Sequence, residues 1–352
     1  MINREKTLRI VLVIIFGLSS LFFIVNNISK YWDGVRVDFP SFYYAAELAI
    51  NGFSPYQNEI WESTKSLNLP DQELYPFLNL PFSLILFYPL TLTDFQVSQT
   101  IILIINITAT FLLIYLVFNR ILKKTLLDPF FLIGGSLVLF FPPVRETISH
   151  GQVNLIVIAL ICAFWWAIKE KKSAMLAGLP LALSILLKVY PGIFFLYLLL
   201  KKKYKTIALT LGILTLFALV AFLILPSEIW ADWYSTVGRI KYGGVFAEKI
   251  PSWKVGNQSL NGFITRFFLG ARNRGIVSIS DYIYPMNWLK KRISALVWGY
   301  LSVGSVVLVW LLLFIRKWRK GITDVNSDLD ISMLLLTMFL IAPISWDHHL
   351  VF

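Results

Sequence analysis

Apolar residues run through this chain in long unbroken blocks rather than in alternation. The blocks are Leu8–Asn26, Phe77–Leu90, Val97–Phe118, Leu127–Phe141, Val153–Ile168, Ala174–Leu187, Ile193–Leu200, Ile207–Leu225, Ile293–Ile315 and Ile331–Ile344. Several approach the roughly 20 residues that a helix needs to cross a bilayer. A membrane β-barrel would instead show alternating stretches of about 10 residues. The pattern therefore predicts an all-α polytopic membrane protein with about 9–10 apolar segments.

Polar residues between the blocks orient them. Basic clusters stand at Arg120/Lys123/Lys124, Lys169/Lys171/Lys172, Lys201–Lys203 with Lys205, and Arg316/Lys317/Arg319/Lys320. Short loops rich in Lys and Arg face the cytoplasm. Two large loops, 29–76 and 226–292, are then extracytoplasmic, the first of them acidic on balance. Keeping every basic cluster inside requires one block near the start not to cross. Phe77–Leu90, short and broken by Pro81 and Pro89, is read as re-entrant or interfacial, with Leu127–Phe141 the alternative. The basic N-terminus, with Arg4, Lys6 and Arg9, leads into an apolar core without a small-residue cleavage site, so a retained first helix is expected. The chain reads as a single membrane domain, 1–352. Its end at Leu350-Val351-Phe352, inside an apolar segment, is read as a truncation.

Composition agrees. The 352 residues are 57% hydrophobic and 15% charged, against about 25% charged in soluble domains, and mean hydropathy is +0.70. The net charge of +12 sits in the loop clusters, and no nucleic-acid-binding motif accompanies it. The single cysteine, Cys162, precludes an intrachain disulfide framework and a cysteine metal site. Asn27-Ile28-Ser29 and Asn257-Gln258-Ser259 fit the N-glycosylation pattern, which matters only in a eukaryotic secretory setting.

The candidate chemistry gathers on the extracytoplasmic side. In DFPSFYYAAELAINGFSPY (Asp38 to Tyr56), one carboxylate precedes a run of interfacial aromatics that includes Tyr43 and Tyr44. Pro40 to Asn51 reads as a short amphipathic helix stopped by Gly52 and held by the membrane surface. Pro40 favours the first helical position and makes Phe39 the nominal cap, so capping explains Asp38 imperfectly. Lys188 ends LPLALSILLK; it is either a snorkelling lysine or a cation for a phosphate. Arg145 and His150 are alternatives for the same phosphate, or plain loop charge. Gln152 and Asn154 open an apolar helix as caps or as sugar ligands. Asn257, Ser259 and Arg266 lie in NQSLNGFITRFF, and His348 and His349 close SWDHH. Adjacent helical residues point about 100° apart, so the His pair makes a poor metal site. No Walker, dinucleotide, HExxH or GxSxG motif is present.

In order, DFPSFYYAAELAINGFSPY, LYPFLNLP, GQVNLIVIAL, ALSILLKVYPGIFFLYLL, NQSLNGF with Arg266, and SWDHH resemble the GT-C membrane glycosyltransferases. The closest likeness is to glycosyltransferase family 87, which includes polyprenyl-phosphate-mannose-dependent mannosyltransferases. The likeness runs from residue 38 to 349. It departs from the family at Tyr75, where two prolines often follow and this chain has Pro76-Phe77.

The resemblance implies a GT-C bundle and an inverting transfer of a sugar, mannose first, from a polyprenyl-phosphate donor to a hydroxyl of a lipid or glycan acceptor. Asp38 would be the general base. Lys188, Arg266, His348, His349 and Arg145 are candidates for the donor phosphate. Tyr43, Tyr44, Tyr75, Gln152, Asn154, Asn257 and Ser259 are candidates for substrate contacts. No cofactor is expected, a divalent metal is left open, and membrane lipids are the remaining partners. The setting expected is the outer face of a plasma membrane, bacterial by its low cysteine and many lysines. The rivals are an oligosaccharide transferase or polymer ligase of envelope assembly, and a lipid-linked-sugar transporter or flippase. A transporter should carry ionisable residues within its spans, and these blocks are nearly free of them.

Overall fold

A computed structural model describes residues 4–33, 38–56, 77–236, 245–246, 250–251, 257–269, 288–319, 327–342, 345 and 347–352. Each predicted apolar block contains a helix, and further helices lie between the blocks. In chain order these are α1 (Arg4–Asp33), α2 (Phe39–Ile50), α3 (Leu84–Thr91), α4 (Phe95–Ile114, continued by a π-helical turn Tyr115–Ile121), α5 (Pro129–Phe140), α6 (Pro142–His150), α7 (Asn154–Lys169), α8 (Ala174–Leu187), α9 (Phe194–Leu200), α10 (Tyr204–Ile224), α11 (Glu228–Thr236), α12 (Leu260–Leu269), α13 (Trp288–Arg319) and α14 (Ser327–Ile341). The only strands among the described residues are β1 (Val245–Phe246) and β2 (Ile250–Pro251), a short antiparallel pair.

The protein is an all-α polytopic membrane protein. Among the described residues four helices are long and apolar enough to cross a membrane: Arg4–Ser29, Phe95–Ile121, Tyr204–Ile224 and Ile293–Leu313. A fifth span is counted if α5 and α6, bent by 49°, are taken as one. The bend has a local cause. Phe141 precedes Pro142-Pro143, so it is pushed into an extended conformation (φ −66, ψ 119) and the helical hydrogen bonds stop there. α3, by contrast, has eight residues. At 1.5 Å per residue it covers about 12 Å, well short of the roughly 30 Å hydrocarbon core. α5, with 12 residues, is also too short to cross alone, so helix length leaves both Phe77–Leu90 and Leu127–Phe141 as candidates for the non-crossing block.

The described residues pack as two compact units. The first holds Met1–Pro191, Tyr204–Thr236 and Val351; the second holds Gly192–Lys203, Val237–Leu350 and Phe352.

In the first unit α7 and α8 form an antiparallel hairpin that packs on α4 and α10, while α1 lies along α5. Small residues set the close approaches. A Cβ at Gly178 of α8 would lie 2.6 Å from Leu209 of α10, and one at Gly135 of α5 would lie 2.7 Å from Phe16 of α1. The two ends of this unit are chemically different. At one end the turn after α4 meets the α7–α8 turn, where Lys169 Nζ donates to the carbonyl of Ile121 at 2.7 Å and Lys123 pairs with Glu170. At the other end, reached by way of α7, lie His150, the start of α2, and Lys188 at the close of α8.

α2 departs from the amphipathic expectation. All of its residues except Glu47 and Ile50 are buried, so protein encloses it and no membrane surface is needed to hold it. Phe42 stacks on Phe87 of α3 with centroids 4.8 Å apart, Tyr44 stacks on Phe95 at 5.4 Å, and the Tyr43 hydroxyl donates to the Thr93 carbonyl at 2.8 Å. Each fully buried aromatic or leucine side chain contributes about 1.5–3 kcal/mol, ample to fix a 12-residue helix that is marginal alone. Gly52, at φ 86, stops it as expected. The chain beyond is pinned where Tyr56 donates its hydroxyl to the Asn79 carbonyl at 2.7 Å and its own carbonyl accepts from Thr236 at 3.0 Å.

In the second unit α12 packs on α13 and α14. Lys201, just past α9, forms a buried ion pair with Asp330 of α14 at 3.7 Å.

Candidate active site

Asp38 stands immediately before α2, yet its side chain caps nothing. The first-turn amides of Ser41 and Phe42 reach its backbone carbonyl instead, at 3.1 and 3.3 Å. The helix starts one residue earlier than Pro40 suggested, and the carboxylate is left out of the helix it precedes.

The segment His150-Gly151-Gln152, between α6 and α7, holds that carboxylate. The Asp38 amide donates to the His150 carbonyl at 3.1 Å. His150 Nδ1 lies 3.7 Å from Asp38 Oδ2. The Gln152 side chain hydrogen-bonds the carboxylate. Gly151 makes this fit possible: its φ of 67 suits glycine, and a Cβ there would stand 2.5 Å from Cβ of Phe39. Thus a left-handed glycine lets α6 end against the first residue of α2.

Electrostatics follow from the enclosure. Burial raises the Asp38 carboxyl above its ordinary value, opposed by His150, Lys188 and the Gln152 hydrogen bond. Burial pushes the Lys188 ammonium down to about 8, with Asp38 pulling the other way. Lys188 follows α8 in an extended conformation (φ −149, ψ 127), which turns the chain off the helix beside the carboxylate. A carboxylate, an imidazole, an amide and an amine are therefore joined at one end of the first unit. Groups with opposed shifts in one cluster are suited to moving protons.

The other sequence candidates divide. Asn154 is fully buried at the start of α7, where Val153 rather than either amide is the cap residue. Tyr43 and Tyr44 are committed to packing around Phe95. Arg145 is exposed on α6. Tyr75 lies outside the described residues, as does the side chain of His348.

Asn257, Ser259, Arg266 and His349 belong to the second unit, and there Asn257 ties a knot. Its side-chain oxygen accepts from the Ser259 amide (3.1 Å), the Ser259 hydroxyl (2.8 Å) and the Ser345 amide (2.9 Å). Arg266 Nη1 donates to the Asn257 carbonyl at 2.7 Å, and the Ser259 hydroxyl accepts from the Gly262 amide to cap α12. His349 is buried, its ring 6.4 Å from that of Phe352. This arrangement joins NQSLNGF to the start of SWDHH.

From the sequence, His150 is a candidate for a phosphate or plain loop charge. The structure makes it the partner of Asp38. The signal was the glycine after it, since His-Gly at a helix end is a left-handed stop that fixes the histidine in place. Among the described residues no three His, Cys, Asp or Glu side chains gather to hold a metal.

The model of glycosyltransferase family 87 matches residues 77–343. The chain belongs to glycosyltransferase family 87. A polyprenol-phosphate-mannose-dependent alpha-(1-2)-phosphatidylinositol pentamannoside mannosyltransferase of Mycolicibacterium smegmatis is 26% identical over 291 residues, covering 80% of this chain and 59% of that protein. A polyprenol-phosphate-mannose-dependent alpha-(1-2)-phosphatidylinositol mannoside mannosyltransferase of the same organism is 23% identical over 215 residues, 60% of this chain and 42% of that protein. The protein of the same description from Mycobacterium tuberculosis is 20% identical over 218 residues, 62% and 43% respectively. The chain thus spans about half the length of the curated relatives it matches. No solved structure matches it significantly.

Proposed function

We propose that this family 87 member transfers a hexose, mannose first, from a polyprenyl-phosphate donor to a hydroxyl of a lipid-linked glycan, with inversion. The observation that carries the reading is the Asp38 carboxylate, held by the His150 and Gln152 segment while capping no helix. Family membership supports the reaction class, and the names of the relatives support the donor and the lipid-linked mannoside acceptor. In this reaction Asp38 takes the acceptor's hydroxyl proton as the oxygen attacks the anomeric carbon, and the polyprenyl phosphate leaves from the opposite face. Lys188 supplies a positive charge to the departing phosphate. His150 and Gln152 orient the carboxylate.

The reaction is assigned to the extracytoplasmic face of a bacterial plasma membrane. Support comes from geometry: Asp38 and the basic turns at Lys123 and Lys171 lie at opposite ends of the first unit, and basic turns favour the cytoplasm. Two assays test these assignments. Purified full-length chain in lipid is given labelled polyprenyl-phosphate mannose, with GDP-mannose as control, and a phosphatidylinositol mannoside acceptor. Transfer from the lipid donor alone, with inverted anomeric configuration, is expected. No transfer from any lipid-linked donor, with sugar-lipid flux across vesicles instead, would overturn the reading. For sidedness, a cysteine at Asn51 should react with an impermeant maleimide from outside the cell, and one at Lys171 should not; the reverse result would invert the topology.

A further inference from the structure

The end of the first unit opposite Asp38 carries an organised cationic surface that the reaction does not use. Two turns build it. The one after α4 passes through Lys123 at φ 58, and the one after α7 through Lys171 at φ 52. The next amides close both turns, Lys124 donating to the Phe118 carbonyl at 2.9 Å and Lys172 to the Ala167 carbonyl at 2.8 Å. Such left-handed closures usually take glycine. Here each is a lysine, so the charge stands on a rigid turn rather than on a free tail.

The surrounding cations are also fixed. The Arg120 guanidinium lies 4.9 Å from the Trp166 ring centroid, and Lys172 Nζ lies 5.9 Å from the same ring. Two cations on one indole repel each other, and a shared anion would relieve them. The local carboxylates are engaged: Glu170 pairs with Lys123 and attracts Lys172 and Arg120 from farther off, and Asp128 lies 4.0 Å from Lys124. Arg120, Lys171 and Lys172 have no carboxylate within ion-pair distance among the described residues. Next to Lys124, on the same turn as Arg120, an apolar rim is open: Leu126, Leu127 and Phe130 are each more than half exposed, and Lys124 Nζ lies 5.8 Å from the Phe130 ring.

Fixed positive charge bordered by exposed leucine and phenylalanine fits a phosphodiester that carries acyl chains. We propose that this surface holds the headgroup of an anionic phospholipid, its phosphate between Arg120, Lys171 and Lys172, with acyl chains along the rim at Leu126, Leu127 and Phe130. A free phosphate would leave that rim unused. The inference does not depend on the sugar-transfer reading.

The test uses full-length protein in neutral detergent, titrated with phosphatidylglycerol, phosphatidylcholine or inorganic phosphate, with bound lipid counted by native mass spectrometry. Surface attraction falls about fivefold per basic residue removed, so the triple variant R120Q/K171Q/K172Q should bind phosphatidylglycerol on the order of a hundredfold more weakly. The control K202Q/K203Q/K205Q should bind it as wild type does. Lys171→Gly provides a check against misfolding: glycine relieves the left-handed turn, so its unfolding midpoint should rise while phosphatidylglycerol binding falls about fivefold. Equal binding by wild type and the first triple variant, an equal loss in the control, or equal binding of inorganic phosphate would each overturn the proposal.

Discussion

Asp38 and Asn257 are both short polar residues just ahead of a helix, and the fold treats them in opposite ways. Asn257 is fully buried, and its side-chain oxygen takes three donors while its backbone carbonyl takes Arg266. Asp38 contributes only backbone to its helix, and its carboxylate faces His150, Gln152 and Lys188. One side chain is saturated and ties loops together. The other is positioned by the fold and takes no part in capping its helix. The difference separates a side chain whose oxygen is spent on joining loops from one whose carboxylate is not spent on its helix, which sequence alone did not do.

The sharpest way to break the contrast without touching Asp38 is Gly151→Ala. A Cβ there runs into Phe39 and strains a left-handed turn, so α6 and α2 must part by a fraction of an ångström. Misplacement on the order of 1 Å costs about 100-fold, and a loss of roughly 10- to 100-fold in transfer rate is expected, with the protein still folded by circular dichroism. An unchanged rate would show that the close approach is not needed for positioning.

Asn257→Ala should act on stability instead. It leaves the amides of Ser259 and Ser345 without their acceptor in a buried place, and each such orphan costs about 1–3 kcal/mol. A loss of about 3 kcal/mol is expected from denaturant titration. Asp38→Asn, which keeps the shape of the side chain and an acceptor for Gln152, should lose less than about 1 kcal/mol in the same titration, because no buried donor is left without its partner.

A third prediction concerns pH. Asp38 must be ionised to act, and burial raises its pKa, so the rate should climb through that raised value. The rate should fall again above about 8 as Lys188 loses its proton, and Lys188→Arg should move that upper limb to higher pH. Stability follows the same group. The folded lysine gives up its proton at about 8, the unfolded one at about 10.5. Between these values the unfolded chain binds more protons, so stability rises with pH. Lys188→Met should remove that rise.

The smallest effect is expected for His150→Gln, which keeps a hydrogen-bonding side chain beside Asp38. A loss of a few-fold in rate, with the lower pH limb moved upward because a charge that lowers the Asp38 pKa is gone, would fit an orienting role. An unshifted limb would leave His150 a packing residue.

Much of the architecture was legible because apolar blocks of bilayer length permit few structures. Ala174–Leu187 is both a predicted block and a helix, residue for residue. The environment of α2 was less legible. FPSFYYAAELAI reads as a membrane-surface helix because its aromatics suit an interface; only α3 and Phe95, placed by contacts distant in sequence, enclose it. The candidate site was legible at Asp38 and Lys188 only as charge that stands out against apolar flanks. The pairing with His150 lies more than 100 residues away in sequence and depends on the left-handed turn at Gly151. In Asn257 and Ser259, amide and hydroxyl groups suggest sugar binding in any sequence, and only coordinates show their hydrogen bonds spent internally.

The central claim is that the Asp38 carboxylate removes the acceptor's proton. Single-turnover transfer by wild type and Asp38→Asn, each preloaded with labelled polyprenyl-phosphate mannose, tests it most directly. The account predicts equal donor binding and a chemical step slowed by about 10²- to 10⁴-fold in the variant. A variant that binds the donor and transfers the sugar at the wild-type rate would contradict it.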